Sequence, residues 1–200
     1  MAEAPAAPAG IDTPAARLAR IVAASPSFMA QLRAVRSLQL AAWCIGAGAL
    51  RNLVWDHLHG HPEASACRDV DVAYFEPADA PPRDERALQA ALQALLPGVP
   101  WEVTDQARVH EWFEQSFGHP VAPLRSLEEA VASWPEYATA VGVWLDAAGA
   151  VQVIAPHGLD DLFAQRIRRN PARVSVDTYR QRVQQKQYTR RWPAVTVEPC

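Results

Sequence analysis

Between Asp69 and Phe75 the chain reads Asp-Val-Asp-Val-Ala-Tyr-Phe, an alternating segment rich in strand-forming residues. In an extended strand, residues two apart face the same way. Asp69 and Asp71 therefore project side by side, while Val70 and Val72 project from the opposite face into apolar packing. Two like charges held that close repel strongly wherever water is partly excluded. A purely structural role would call for an Arg or Lys between them. A divalent cation relieves the same repulsion, because hard cations prefer carboxylate oxygens.

The segments on either side extend this constraint. The apolar run from Leu40 to Ile45 stops at Gly46-Ala47-Gly48, which favours a buried strand over a helix. Leu50, Leu53, Val54 and Leu58 then recur at helical spacing, predicting an amphipathic helix that starts near Ala49 and ends before His59-Gly-His-Pro62. A glycine corner lets backbone approach a phosphate closely. The helix behind it offers unpaired N–H groups and a partial positive charge. Arg51 and Asn52, in its first turn, can reach the same ligand. Trp101-Glu-Val103 reads as a further short strand. A carboxylate in a buried apolar strand is costly without a partner, so Glu102 is expected beside the aspartate pair, giving three acidic ligands of the kind used in two-metal phosphoryl transfer.

The remaining chain supplies the layers around such a strand. Residues 1–12 open on an Ala/Pro-rich run and are read as a disordered leader, with 13–200 as one domain. Thr13-Pro14 and Ser25-Pro26 each mark a helix start. Helices are predicted over Arg83 to Leu96, Gln106 to Phe117, from Ser126 with Glu129 three residues on as a capping box, Leu159 to Ile167, and Asp177 to Arg191. Pro77 to Pro82 reads as a loop. Ala140 to Leu145 and Val151 to Ala155 flank a Gly-containing turn and predict a β-hairpin.

Composition removes several function classes. No run of about 18 apolar residues exists for a membrane span. Cys44, Cys67 and Cys200 are widely spaced and form no CxxC pair, so neither a zinc ribbon nor a disulfide framework is indicated, and a cytoplasmic setting is expected. The net charge of −3 argues against a broad duplex nucleic-acid surface. No P-loop, zincin or serine-hydrolase motif is present. His57, His59 and His61 match no clear zinc geometry and read as a surface cluster. Arg108 reads as a phosphate ligand or a surface ion pair. Asp160 and Asp161 read as helix-start acids, and the basic last helix as a solvated face or a holder of a polyanion.

The segments Gly-Ala-Gly-Ala-Leu-Arg-Asn (46–52), Asp-Val-Asp-Val (69–72) and Trp-Glu-Val (101–103) together resemble the DNA polymerase β-like nucleotidyltransferase superfamily. More narrowly, residues 25 to 197 resemble a bacterial family of uncharacterised nucleotidyltransferase-like proteins. The resemblance implies an α+β fold with a mixed central sheet flanked by helices. It implies a nucleotidyltransferase that uses Mg²⁺ or Mn²⁺ to move a nucleotidyl group from an NTP to a small-molecule or macromolecular hydroxyl acceptor. Asp69, Asp71 and Glu102 would be catalytic and metal-binding, with Glu102 as third ligand or base. Gly46, Gly48, Arg51 and Asn52 would bind the nucleotide, and which glycine meets the phosphate stays open. The superfamily usually has Gly or Ser directly after the first glycine, where this chain has Ala47. The alternatives are a catalytically inactive binding module with the same fold and a metal-dependent phosphodiesterase.

Overall fold

The computed structural model describes residues 13–76 and 80–200. The leader expected over 1–12 lies outside the described residues, as do Pro77 to Asp79 of the predicted loop. Two helices open the described chain, α1 (Pro14–Ala23) and α2 (Pro26–Ser37). Thr13 and Ser25 cap them, accepting from Ala16 N–H at 3.2 Å and Phe28 N–H at 3.3 Å, and proline fills the first helical position of each. Strand β1 (Trp43–Gly46) then runs straight into α3 (Ala47–His59).

The central sheet adds β2 (Val70–Tyr74), β3 (Trp101–Asp105), β4 (Gly142–Leu145) and β5 (Val151–Ile154), in the order β3-β2-β1-β4-β5. The β2–β3 pair is parallel and all its other pairs are antiparallel. The parallel pair needs a crossover, and α4 (Glu85–Leu95) supplies it, capped by Asp84 and seated through the buried Leu92. This is the mixed α+β architecture expected from the resemblance.

The two faces of the sheet are covered unequally. Trp43, Ile45, Val70, Val72, Tyr74, Trp101 and Val103 share the main apolar core with Leu18, Leu32, Leu50, Val54 and Trp55. Each aliphatic side chain fully withdrawn there contributes roughly 1.5–3 kcal/mol. On the other face, Cys44 and Ala73 meet Leu127 and Val131 of a short helix, α6 (Leu127–Ala132), in a much smaller cluster. Asp71, Glu102 and Thr104 lie on this thinly covered face, because they alternate with the core residues of β2 and β3.

Several predicted boundaries change. A 3-10 turn at Gln106–Arg108, capped by Asp105, precedes α5 (Val109–Phe117). The helix expected over Leu159 to Ile167 is limited to α7 (Asp160–Phe163). Gln165 takes a left-handed φ of 54°, and Arg166–Ile167 forms strand β6. Asp177 to Arg191 is two helices, α8 (Val176–Lys186) and α9 (Tyr188–Arg191), divided at Gln187 with φ 48°. The division lets Tyr188 and Trp192 enter the core, where Trp192 Nε1 donates to the buried Asp56 at 2.8 Å. The last strand, β7 (Thr196–Val197), pairs parallel with β6. No helix among the described residues is long and apolar enough to cross a membrane.

The corner between β1 and α3 is set by sterics. A Cβ on Gly46 would lie 2.5 Å from the Val141 carbonyl oxygen and 2.6 Å from the Trp134 ring. Ala47 makes the turn at φ 49°, a left-handed conformation that costs an L-residue about 1–2 kcal/mol. Gly46→Ala is therefore expected to destabilise the fold by about 2 kcal/mol or more through overpacking, whereas Ala47→Gly should stabilise it by about 1 kcal/mol. Urea unfolding of the two variants, shifting in opposite directions, checks both.

Candidate active site

The thinly covered face of β2 and β3, the first turn of α3 and one face of α8 line a cleft of about 280 Å³. Asp69, Asp71 and Glu102 all line it, together with Gly48, Arg51, Thr104, Gln106, Trp134, Thr139, Arg182 and Lys186. The parallel register sets Asp71 directly beside Glu102. Asp69 immediately precedes the same strand, which starts at Val70 and not at Asp69 as the alternation suggested, and lies two residues from Asp71. The structure thus brings the three acids to one wall. Glu102 is exposed on the edge strand β3, not buried as its apolar neighbours suggested. The argument from burial cost does not hold for it, although its placement beside the aspartates does.

Crowding shows in the protonation of Asp71. Its carboxyl is pushed up to about 7, first by burial and then by the charges of Asp69 and Glu102, while Lys186 and Arg182 pull it back. Among the described residues no group of three or more His, Cys, Asp or Glu side chains is drawn together tightly enough to hold a metal ion. The acids share a wall without forming a closed ligand shell.

The glycine corner divides into two roles. Gly46 lies beneath Trp134 and off the cleft wall; Gly48 lines the cleft, where an added Cβ would meet only Arg51 Nη2 at 3.9 Å and Asp69 Oδ1 at 4.0 Å. Arg51 is 3% exposed. Its guanidinium lies 5.3, 5.0 and 5.5 Å from the ring centroids of Trp55, Tyr188 and Trp192. Nη2 donates to Asn52 Oδ1 at 2.7 Å, and Nε has no hydrogen-bond acceptor. No carboxylate among the described residues lies within ion-pair distance of it. A buried cation without a counter-ion, standing in a cleft wall, favours an anionic ligand. Asn52 orients Arg51 and lines only a narrow side hollow, shared with Arg68, Lys186 and Arg191.

Sequence reasoning offered Arg182 and Lys186 only as part of the basic last helix, a solvated face or a holder of a polyanion, and did not single out Thr104, Gln106, Trp134 or Thr139. For Arg182 and Lys186 a signal existed: four residues apart in a basic helix, they share one face. Arg182 is held by Glu136, which is fully buried and accepts from Arg182 Nε at 3.2 Å, Tyr188 hydroxyl at 3.0 Å and Thr139 hydroxyl at 3.3 Å.

Other candidates fall outside the cleft. Arg108 pairs with Asp105 at 3.6 Å and Glu111 at 3.3 Å on the rim of a separate hollow that also contains His110. Asp161 is buried and held by Arg166 and Arg168, a structural ion network. His59 and His61 contact the Trp55 carbonyl and Asp56 respectively, and His57 is exposed.

A nucleotidyltransferase family model matches residues 33–197. The chain belongs to that nucleotidyltransferase family. No curated protein matches it significantly. Among solved structures, an NMR structure reported to reveal a CCA-adding enzyme head domain is 26% identical, with a TM-score of 0.77 over 92% of this chain and 96% of that one. A tRNA-processing enzyme in an apo form is 14% identical, with a TM-score of 0.49, covering 97% of this chain and 45% of that one. The protein is accordingly a nucleotidyltransferase with the mixed α+β fold of such a head domain, and nucleotidyl transfer is its activity.

The state of Asp71 in this nucleotidyltransferase has a measurable consequence. Its carboxyl titrates near 7 when folded and near 3.8 when unfolded. The folded state therefore holds the extra proton between those values, so stability falls as pH rises through that window and the loss is complete above about 7. Without metal, Asp71→Asn should stabilise the protein at pH 8 by about 2 kcal/mol or more, each pKa unit being worth about 1.4 kcal/mol. The gain should vanish near pH 4. Denaturant titrations at the two pH values test this; an equal effect at both would place its origin elsewhere.

Proposed function

We propose that the protein catalyses Mg²⁺- or Mn²⁺-dependent transfer of a nucleotidyl group from an NTP to a hydroxyl acceptor. One observation carries this reading: Asp69, Asp71 and Glu102 line a single cleft wall, and the uncompensated guanidinium of Arg51 lines the same cleft. The donor set suits a hard divalent cation. All its ligand atoms are carboxylate oxygens, and the burial and repulsion that together hold Asp71 up to about 7 would be offset by positive charge. When bound, the metal would stabilise charge on the transferring phosphoryl group and lower the pKa of the attacking hydroxyl.

Asp69 and Asp71 would hold the cation, and the Gly48 backbone with Arg51 would hold the β- and γ-phosphates against the first turn of α3. Glu102, exposed at the edge of the sheet, would take the proton of the acceptor hydroxyl. The acceptor oxygen forms a bond to the α-phosphorus, the bond from that phosphorus to the bridging oxygen breaks, and pyrophosphate leaves with the electron pair. Asn52 supports Arg51 without needing to touch the nucleotide.

The test is pyrophosphate release from labelled NTPs with Mg²⁺ or Mn²⁺, alone and with cell extract as a source of acceptors. Turnover is expected in the natural chain, with a loss of at least about 100-fold in Asp69→Asn and Asp71→Asn. Glu102→Gln should lose about 10²–10⁴-fold, the usual worth of a general base. Metal-dependent NTP binding without turnover over a broad acceptor set would instead support a binding module. Phosphodiester hydrolysis without NTP would support a phosphodiesterase.

A further inference from the structure

Asp69 lies just outside β2, at the end of a connector over residues 60–69 that contains no helix or strand. The sheet ladder therefore does not hold it. Arg51 owes its setting in part to Tyr188 and Trp192 of the C-terminal segment. Both settings trace back to one side chain outside the cleft: Asp56, near the end of α3 and 6% exposed. Its Oδ2 accepts from the Ser65 backbone N–H at 2.7 Å. Its Oδ1 accepts from the Ser65 hydroxyl at 2.6 Å and from Trp192 Nε1 at 2.8 Å. His61 Nδ1 lies 3.0 Å from the same oxygen. Hydrogen bonds to a carboxylate are short and strong, and each fixes a direction as well as a distance. Ser65 is four residues from Asp69. Between them Arg191 Nη1 donates to the Ala66 carbonyl at 3.2 Å, and Cys67 Sγ donates to the Asp69 carbonyl at 2.8 Å. Trp192 sets its ring edge-on to Trp55 at 5.2 Å and lies 5.5 Å from the Arg51 guanidinium. One carboxylate thus anchors the connector that carries Asp69 and the aromatic nest that holds Arg51.

We propose that Asp56 is a positioning residue shared by the metal-binding and phosphate-binding sides of the site. This rests on the NTP-dependent reading, in which Asp69 holds the cation and Arg51 the phosphates. Asp56 lines neither the cleft nor its side hollow, so it acts through the groups it binds. Removing the hydrogen bonds that orient a metal ligand usually costs about 10–100-fold in affinity. The two arms are chemically separable. Ser65→Ala removes one hydroxyl from the connector arm and leaves Trp192 bound. Trp192→Phe removes the indole N–H and keeps an aromatic ring in the nest. Asp56→Asn weakens both arms, because an amide that keeps its oxygen toward Trp192 turns its own N–H groups toward the Ser65 N–H.

The experiment compares these variants with the natural chain, each first shown to be folded by its thermal transition. The readouts are amide hydrogen exchange over residues 61–69 without metal, Mn²⁺ binding without nucleotide by electron paramagnetic resonance, and ATP binding at saturating Mn²⁺ by titration calorimetry. Ser65→Ala should speed exchange in the connector and weaken Mn²⁺ binding about 10-fold. Its ATP affinity should stay within about twofold, the usual scatter for an uncoupled site. Trp192→Phe should weaken ATP binding about 5-fold, the worth of one hydrogen bond, and leave Mn²⁺ binding within about twofold. Asp56→Asn should show both losses; should it fail to fold, the two single-arm variants decide. Folded variants that lose stability but keep both affinities overturn the inference, as do equal losses of Mn²⁺ and ATP in each single-arm variant. If the natural chain binds neither Mn²⁺ nor ATP, the NTP-dependent reading fails and this inference with it; faster connector exchange in Asp56→Asn would then mark Asp56 as a structural anchor alone.

Discussion

The parallel pairing of β2 with β3 is the constraint on which the site depends. It sets Asp71 against Glu102 in register, and the period of two along each strand sends Val70, Val72, Trp101 and Val103 into the main core. A slip of one residue in either strand would invert this sorting, burying carboxylates and exposing apolar side chains. The core thus enforces the active wall. The same residues that stabilise the sheet ensure that the acids point to the thinly covered face.

Around that wall the charges form an arrangement poised for a ligand. Arg51 is held by three aromatic faces and an amide oxygen, with no carboxylate among the described residues within ion-pair distance. Asp71 resists ionisation because of its setting. Both conditions are unfavourable: positive charge near Asp71 would relieve the one and negative charge near Arg51 the other. Two other buried acids are saturated: Asp161 has two arginines, and Asp56 accepts from Ser65 and Trp192. The contrast between saturated and unsaturated buried charges separates the structural ones from those of the site.

Much of this was legible in the sequence because it rests on short-range rules. Alternation gave the orientation of Asp69 and Asp71, the glycine corner gave the strand-to-helix turn, and Thr13 and Ser25 gave the first two helix starts. What could not be read depended on tertiary packing. The break at Gln187 has no local cause such as Gly or Pro; it exists because Tyr188 and Trp192 gain a place in the core. The strand at Arg166–Ile167 exists because Thr196–Val197 returns to pair with it. That Lys186 and Arg182 line the cleft depends on where α8 docks, which helical periodicity alone does not specify. Glu102 was placed correctly for a partly incorrect reason, since the edge position of its strand leaves it in water.

The nest around Arg51 is closed by Tyr188 and Trp192, which lie after every other residue that lines the cleft except Arg191. On the ribosome these are therefore among the last parts of the described chain to emerge. Until they do, Trp55 lacks two of its aromatic neighbours and the guanidinium has no cage to hold it. A nascent chain can already contain its three acids and its glycine corner while its Arg51 side chain is still unheld. The fold thus makes the setting of Arg51 wait for Tyr188 and Trp192, so translation products that stop short of them are built without the aromatic cage around that guanidinium.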